Sequence, residues 1–274
     1  MIMRLLLILL SLSLLSNSVF ADVVIEGFKM PESVAQDKDG NIYVSEIGER
    51  DIDKDGKITM IDNSGNLTTI VDDLYDPKGL VLFNNKIYVT DRDVVVEVDI
   101  ESKTSAVYAG TMQFPRSPVF LNDIDVDDKG NLYVSDSGDF KSTGQIFVIK
   151  TTGEIETIFE DERNLIKAPN GLLLNGDTLY VLDWAGEFFE ADLNKKSFKK
   201  IADGFNGGDG IAKVKDTFFL SSWLEGKLYK LIADKVELIN DKFEAAADIS
   251  LSQDNKKVYI PDMKAGTLTI LDVN

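Results

Sequence analysis

Apolar and polar residues alternate in short runs along the chain, and one paired run sets the pattern. The segment 121–138 (LNDIDVDDKGNLYVSDSG) has apolar residues at every second position on both sides of a polar turn. This period of two is typical of half-buried strands, and Gly130 can supply the positive φ that the turn needs. The segment therefore predicts a β-hairpin.

Five further segments repeat this hairpin. They are PESVAQDKDGNIYVSE, PKGLVLFNNKIYVTD, PNGLLLNGDTLYVLD, GDGIAKVKDTFFLSS and ADISLSQDNKKVYIPD. Each copy has an aromatic residue in its second strand, and successive aromatics lie 39 to 47 residues apart: Tyr43, Tyr88, Tyr133, Tyr180, Phe219 and Tyr259. A repeat of this length with four short strands per unit is typical of a β-propeller. We therefore predict an all-β fold, a six-bladed β-propeller.

The two ends of the chain indicate how the ring closes. The last repeat stops one strand short, at GTLTILD (266–272), whereas DVVIEGF (22–28) precedes the first repeat without a neighbouring strand. We predict that the N-terminal strand completes the last blade, because closure removes the exposed sheet edges of an open array. Neither a long helical pattern nor a Pro/Gly linker marks a second domain, so residues 22–274 are predicted to form one propeller.

Residues 1–21 have the pattern of a secretory signal peptide. Arg4 precedes an apolar run at 5–15, and Val19-Phe20-Ala21 provides a small-residue cleavage site. The alternative is a membrane anchor, but the run is short and interrupted by serines. The chain has no Cys, which excludes disulfides and a lipoprotein cysteine. We predict an exported protein of the bacterial periplasm.

Charge and composition limit the classes of partner. The net charge of −18 argues against nucleic acid and anionic membranes and is compatible with cation binding. The absence of His excludes His-dependent catalytic triads and dyads. We expect a monomer that acts on a small-molecule substrate, with no nucleic-acid partner and no membrane partner after signal cleavage.

A polar residue begins each predicted first strand. These residues are Glu32, Lys78, Asn122, Asn170, Asp209 and Asp248. The first strand of a propeller blade is innermost, so six side chains are expected to converge at one level of the central channel. Carboxylate and amide oxygens suit a hard cation such as Ca²⁺. Taken singly, each of these residues also fits ordinary turn chemistry.

These motifs resemble the senescence-marker-protein/gluconolactonase/luciferin-regenerating-enzyme family, which includes regucalcin and consists of six-bladed propellers. The resemblance spans the chain after the signal peptide. It implies that Glu32 in PES, Asn170 in APNGL and Asp209 in GGDGI bind a catalytic divalent cation, with Ca²⁺ expected and Zn²⁺ or Mn²⁺ as alternatives. It also implies that Asn122 in LNDI contacts the substrate.

The resemblance implies hydrolysis of lactones. The metal would polarise the lactone carbonyl and lower the pKa of a water molecule, and Asp209 would act as base. Lys78, Phe120 and Asp136 are further candidate substrate contacts. The prediction is thus an exported, metal-dependent hydrolase of the gluconolactonase type. The alternative is a non-enzymatic binding propeller of the NHL type, which shares the hairpin motif, for a peptide, glycan or partner protein.

Two departures from the family pattern bear on the substrate. Phe120 stands where sugar-lactonase members carry Arg, and the first blade has PES in place of E-G-P. A less polar lactone or ester is therefore considered. Phe114, Phe120, Trp184 and Trp223 could frame an apolar pocket, or they could pack between blades.

A second candidate metal site is local to blade 1. The segment 51–62 (DIDKDGKITMID) has the spacing of a calcium loop, with Asp51, Asp53, Asp55, Lys57 (through its backbone carbonyl), Thr59 and Asp62 as candidate ligands. Three carboxylates within five residues repel one another unless a cation is present. We predict a structural Ca²⁺ here, with an acidic, solvated hairpin as the alternative.

Overall fold

Six four-stranded antiparallel sheets make up the computed structural model, which describes residues 23–49, 52–160 and 166–273. The predicted six-bladed β-propeller is confirmed. Apart from a 3₁₀ turn at Thr111–Gln113, these ranges contain no helix, and no helix within them could cross a membrane. The predicted signal peptide, residues 1–21, lies outside the described residues.

Strand β1 (Val23–Glu26) comes before the first complete blade. Blade 1 contains β2 (Pro31–Gln36), β3 (Ile42–Glu46), β4 (Gly56–Ile61) and β5 (Leu67–Leu74). Blade 2 contains β6 (Pro77–Phe83), β7 (Lys86–Asp91), β8 (Val94–Asp99) and β9 (Thr104–Ala109). Blade 3 contains β10 (Leu121–Val126), β11 (Leu132–Asp136), β12 (Gln145–Ile149) and β13 (Ile155–Glu160).

The second half of the chain repeats this order. Blade 4 contains β14 (Pro169–Asn175), β15 (Thr178–Asp183), β16 (Glu187–Asp192) and β17 (Ser197–Asp203). Blade 5 contains β18 (Gly208–Val214), β19 (Thr217–Ser222), β20 (Lys227–Ile232) and β21 (Lys235–Asn240). Blade 6 contains β22 (Ser250–Leu251), β23 (Lys257–Asp262), β24 (Thr267–Asp272) and, as its outer strand, β1.

Pairing between the two ends of the chain closes the ring, as predicted. Strand β1 runs antiparallel to β24, with Val23 opposite Ile270 and Glu26 opposite Thr267. The innermost strands β2, β6, β10, β14, β18 and β22 each contact the next, and β22 returns to β2. The channel is therefore surrounded by six first strands, as the repeat required.

The apolar core lies between adjacent blades. Tyr43 and Ile58 of blade 1, for example, pack with Leu80 and Val89 of blade 2. Alternate residues of the middle strands face opposite sides of their sheet, so each blade contributes to the layer on either side of it. The repeated aromatic of the sequence thus marks an interface between blades.

A β-bulge interrupts the innermost strand of five blades at the same place. In β14, Pro169 pairs with Asp183 and Leu172 pairs with Val181, which leaves Asn170 and Gly171 within the bulge. The bulge recurs in β2, β6, β10 and β18. Bulges redirect side chains. Here each bulge directs the side chain of the first of its two bulged residues, such as Asn170, into one mouth of the channel.

Close contact between innermost strands explains the glycines of the N-G and D-G motifs. A Cβ on Gly171 would lie 1.9 Å from the carbonyl oxygen of Asp209, and a Cβ on Gly210 would lie 2.2 Å from the nitrogen of Ile249. Neither position can accept a side chain without separating two blades. The interpretation of these motifs as turns was therefore wrong, because both lie within strands.

Candidate metal and substrate site at the channel mouth

Five of the six predicted first-strand residues line one cavity of about 490 Å³ at a mouth of the channel. We call these five side chains the ring residues: Glu32, Lys78, Asn122, Asn170 and Asp209. All five are buried, with side chains at most 6% exposed. The bulged strands β2, β6, β10, β14 and β18 each supply one of them. The structure thus brings together the predicted metal ligands and four of the five predicted substrate and base residues, because Phe120 also lines this cavity.

Asp248 was wrongly assigned to the ring. Ala246 pairs with Asp262 in the same way as Pro31 pairs with Glu46, so Ala247 is the counterpart of Glu32. Asp248 lies one position further along and lines a cavity at the opposite end of the channel. The sixth ring position therefore contributes a methyl group and no ligand.

Three oxygens in this channel-mouth cavity are buried without a hydrogen-bond partner. They are Oε2 of Glu32, Oδ1 of Asn170 and Oδ1 of Asp209. Buried polar atoms are nearly always paired, and three unpaired oxygens in one cavity form a set of donors that a bound cation could satisfy. Two carboxylates and an amide oxygen suit Ca²⁺ or another hard divalent ion. Within the described residues, no group of three or more His, Cys, Asp or Glu side chains is arranged to bind a metal. The ring has only two carboxylates, and its third candidate ligand is an amide.

Burial and mutual repulsion dominate the electrostatics of the ring. Burial raises the pKa of Glu32 well above its usual value, and the nearby Asp209 and Asp248 raise it further. The pKa of Asp209 is raised for the same two reasons, burial first and then Asp248. Burial lowers the pKa of Lys78, although attraction to Glu32 opposes that change. A divalent cation would offset the carboxylate repulsion that one ammonium only partly relieves.

Lys78 and Asn122 provide hydrogen-bond donors beside the carboxylates. The Lys78 ammonium donates to the backbone oxygen of Asp76 at 3.1 Å and lies 4.4 Å from the centre of the Phe120 ring. Asn122 donates from Nδ2 to the Ser137 hydroxyl at 3.1 Å. That bond fixes the amide, and it leaves Oδ1 of Asn122 and two hydrogens of Lys78 for a ligand in the cavity.

Asp136 holds a loop and does not face the cavity. Its carboxylate accepts hydrogen bonds from the backbone nitrogens of Val119 and Phe120, the latter at 2.7 Å, and from Nε2 of Gln145 at 2.9 Å. The acids that end the other second strands accept bonds from the equivalent loops: Glu46, Asp91, Asp183 and Asp262. The structure therefore does not place Asp136 with the other predicted substrate contacts, which line the cavity.

Aromatic rings form one wall of the cavity. Phe120, Trp184 and Trp223 line it, as the apolar-pocket hypothesis proposed, whereas Phe114 packs in the core against Phe147 with ring centres 4.9 Å apart. Phe140, which was not predicted from the sequence, lies between Phe120 and Trp184. Phe120, Trp184 and Trp223 are half-buried, so part of each ring faces the cavity.

Other lining residues were also missed, and a simple register would have found three of them. Ile47, Arg92 and Met263 directly follow a second strand, as the predicted Trp184 and Trp223 do. The chain leaves the sheet at that point, just beside the mouth. Met30, Asp76 and Phe140 come from loops, where no periodic pattern marks them.

The five candidate ligands of the predicted calcium loop that lie within the described residues are not arranged around one point. Lys57 and Thr59 lie on β4, where both contact the Glu46 carboxylate. Asp62 follows the last residue of β4, so a strand of six residues, about 20 Å long, separates it from the start of that strand at Gly56. Its carboxylate accepts hydrogen bonds from the backbone nitrogens of Ser64 and Asn66 in the turn that follows. The loop thus ends where β4 begins at Gly56, and the structure does not gather Lys57, Thr59 and Asp62 around the first half of the segment.

Asp53 and Asp55 each contact another part of the chain, although Oδ1 of Asp55 is buried without a hydrogen-bond partner. Asp53 forms an ion pair with Arg92 at 2.6 Å, and Oδ2 of Asp55 accepts from the backbone nitrogen of Glu49 at 2.7 Å. Asp51 lies outside the described residues. The acidic hairpin is thus held to the rim of the channel-mouth cavity through Arg92, which also pairs with Asp76.

A second cavity, of about 330 Å³, lies at the opposite end of the channel. Asp123, Asp125 and Asp248 line it, and Asp248 accepts a hydrogen bond from the Ser33 hydroxyl at 2.5 Å. Burial raises the pKa of Asp125 to about 6 and that of Asp248 to about 7. These carboxyls therefore bind protons more tightly in the folded chain than in the unfolded chain.

We expect the protein without divalent cations to be more stable at pH 5.5 than at pH 7.5. Between about pH 4 and the folded-state pKa values, the folded state holds more protons, so the free energy of unfolding falls as pH rises. Asp248→Asn should raise the melting temperature by several degrees at pH 7.5 and much less at pH 5.5. Asp128→Asn, in an exposed turn, is the matched control. Equal pH responses of the wild type and Asp248→Asn would contradict this expectation.

Solved structures with the same fold have varied roles. A gluconolactonase from Xanthomonas campestris matches with a TM-score of 0.75 and 12% identity over 92% of this chain and 90% of that one. A regucalcin from Agrobacterium tumefaciens, described as a calcium-binding protein, matches with 0.69 and 15% over 89% and 90%. A chain of the nidogen/laminin complex matches with 0.68 and 19% over 81% and 84%. No family model and no curated protein sequence matches the chain. At these identities the likeness establishes the propeller fold alone.

Proposed function

We propose that the protein is an exported, divalent-metal-dependent hydrolase of the lactonase type, acting on a lactone or related ester. One observation carries the proposal: Glu32, Asn170 and Asp209 each have a buried oxygen without a partner in the same cavity. The likeness in fold to a gluconolactonase and to a calcium-binding regucalcin supports it. Ca²⁺ is the expected ion, and Zn²⁺ or Mn²⁺ would also accept these oxygens.

Glu32, Asn170 and Asp209 would hold the metal. A bound divalent ion supplies positive charge that polarises a carbonyl and makes water more acidic. The desolvated carboxylates favour such an ion, because leaving two buried negative charges uncompensated is costly. Hydrogen bonds from Thr90, Ser135 and Ser221 to the backbone oxygens of ring positions in the next blade fix the spacing of this site.

The other ring residues would act on the substrate. Asn122, held by Ser137, orients the lactone, and the Lys78 ammonium faces the carbonyl oxygen as negative charge develops there. Asp209 takes a proton from the attacking water while the water oxygen bonds to the carbonyl carbon. The C–O bond of the ring then breaks, and the leaving oxygen receives the proton. The product is the open hydroxy acid.

The experiment measures lactone hydrolysis by the purified chain after chelation and after reloading with Ca²⁺, Mn²⁺ or Zn²⁺ separately. Five- and six-membered lactones, with and without hydroxyl groups, are assayed by formation of the hydroxy acid. We expect turnover that is lost on chelation and restored by at least one metal. Metal binding without turnover of any lactone or ester would instead favour a binding propeller for a peptide, glycan or partner protein.

A further inference from the structure

Four aromatic side chains form a continuous arc along the wall of the channel-mouth cavity. Phe120 and Phe140 lie with ring centres 4.9 Å apart, Phe140 and Trp184 5.5 Å apart, and Trp184 and Trp223 5.8 Å apart. All four rings line the cavity and are half-buried. The arc, Phe120–Phe140–Trp184–Trp223, extends over blades 3 to 5, whereas ring packing in the core is confined to pairs and small clusters between blades.

Backbone strain places two apolar side chains at this mouth. Phe140 has φ of +59° and Met30 has φ of +48°, a conformation that costs a residue other than glycine about 1–2 kcal/mol. Both residues line the cavity. Glycine would remove the strain but would also remove the apolar surface. Strained residues that persist beside a cavity indicate a site at which the side chain is needed.

Polar groups are confined to the floor and one part of the rim. The floor consists of the ring residues, and at the rim Arg92 is already paired with Asp76 and Asp53. Above the floor, the wall consists of the aromatic arc with Ile47 and Met263. A ligand with hydroxyl groups along its whole length would leave those groups buried against apolar atoms, which costs free energy for each unpaired group. A ligand with a polar head and an apolar tail would match both surfaces.

We propose that the site takes a lactone or ester with an apolar substituent, the polar head lying on the ring residues and the substituent along the aromatic arc. This inference names the substrate class and rests on the proposed function for its chemistry. Binding of the apolar substituent can be measured separately from turnover. Both tryptophans of the chain belong to the arc, so tryptophan fluorescence, excited selectively over the tyrosines, reports on this cavity.

The first test titrates the metal-loaded full chain with lactams, which keep the ring and carbonyl of a lactone but resist hydrolysis. The probes are γ-butyrolactam, its 5-butyl derivative and a polyhydroxylated lactam of six-carbon length. We expect the butyl compound to shift the tryptophan emission and to bind about fourfold more tightly for each methylene covered by the rings. Equal affinities for the butyl and unsubstituted lactams, or tighter binding of the polyhydroxylated lactam, would overturn the proposal.

The second test compares variants with the same probes and with the matching lactones. Trp184→Leu should reduce the preference for the butyl over the unsubstituted lactam by at least about fivefold, with Trp223 still reporting. Tyr108→Leu, which removes a half-buried ring packed on Tyr88 outside the cavity, should leave that preference unchanged. An unchanged preference in Trp184→Leu would refute the role of the arc.

The two proposals fail in different ways. If the chain binds the butyl lactam preferentially but hydrolyses no lactone, the proposed function fails and the ligand class stands. If it hydrolyses hydroxylated lactones in preference to apolar ones, the function stands and the ligand class fails.

Discussion

Asp209→Asn should remove both the bound metal and the lactone hydrolysis of this protein. The substitution keeps the shape of the side chain but replaces a carboxylate that would serve as ligand and as base. We expect metal content to fall from one equivalent per chain to a small fraction of one. Loss of a positioned base alone lowers kcat/KM by roughly 10²–10⁴-fold, and loss of the metal should take the rate below detection. Metal analysis after gel filtration and the hydroxy-acid assay measure the two effects.

The same variant should change stability in opposite directions with and without metal. In chelator, the buried Asp209 lacks a partner for Oδ1, so the neutral asparagine should be at least as stable as the wild type. In excess metal, the wild type gains stability by binding and the variant does not. Asp128→Asn makes the same chemical change in an exposed turn and should match the wild type throughout. Retention of both metal and turnover by Asp209→Asn would contradict the assignment.

The fold could be predicted because its signals are repeated. Alternating apolar residues, a polar turn and one aromatic recur in six copies, so an error in any one copy is corrected by the others. The repeat also predicted the position of the N-terminal strand. The last repeat contains only three strands, so β1 was expected to be the fourth strand of that blade. The five ring residues could be predicted as well, because each lies 10 or 11 residues before the aromatic of its blade.

The failures arise where the repeat varies or where a local motif was considered alone. The hairpin of blade 6 has one more residue between ring position and aromatic, which placed Asp248 where Ala247 stands. The spacing of 51–62 matched a calcium loop, but cross-strand pairing of Glu46 with Lys57 makes its second half a strand. Phe140 lies in a loop with φ of +59°, a conformation that no pattern of apolar residues reveals.

Removal of residues 23–28 should destabilise the entire propeller and not only its first blade. Phe28 is 7% exposed and packs in one cluster with Val44 and Tyr259, which belong to blades 1 and 6. Loss of such a side chain alone costs about 3–5 kcal/mol, which lowers the melting temperature of a domain this size by about 10 °C. Loss of the β1–β24 pairing adds to that cost. Thermal unfolding by circular dichroism measures the shift.

Hydrogen exchange distinguishes collapse of the ring from fraying of one end. The outer strand of each blade has one free edge, and removing β1 exposes β24 as the outer strand of blade 6. Removing residues 23–28 also takes away Phe28, which packs between blade 6 and blade 1. Protection should then fall in β2 and β3 as well as in β23 and β24, because the cluster around Phe28 joins these strands. Val24→Thr is the control, since Val24 is 51% exposed and its backbone pairing with Thr269 does not depend on the side chain. The prediction would be contradicted if the truncated chain kept its melting temperature or lost protection only in β24. Either result would mean that β1 does not stabilise the ring.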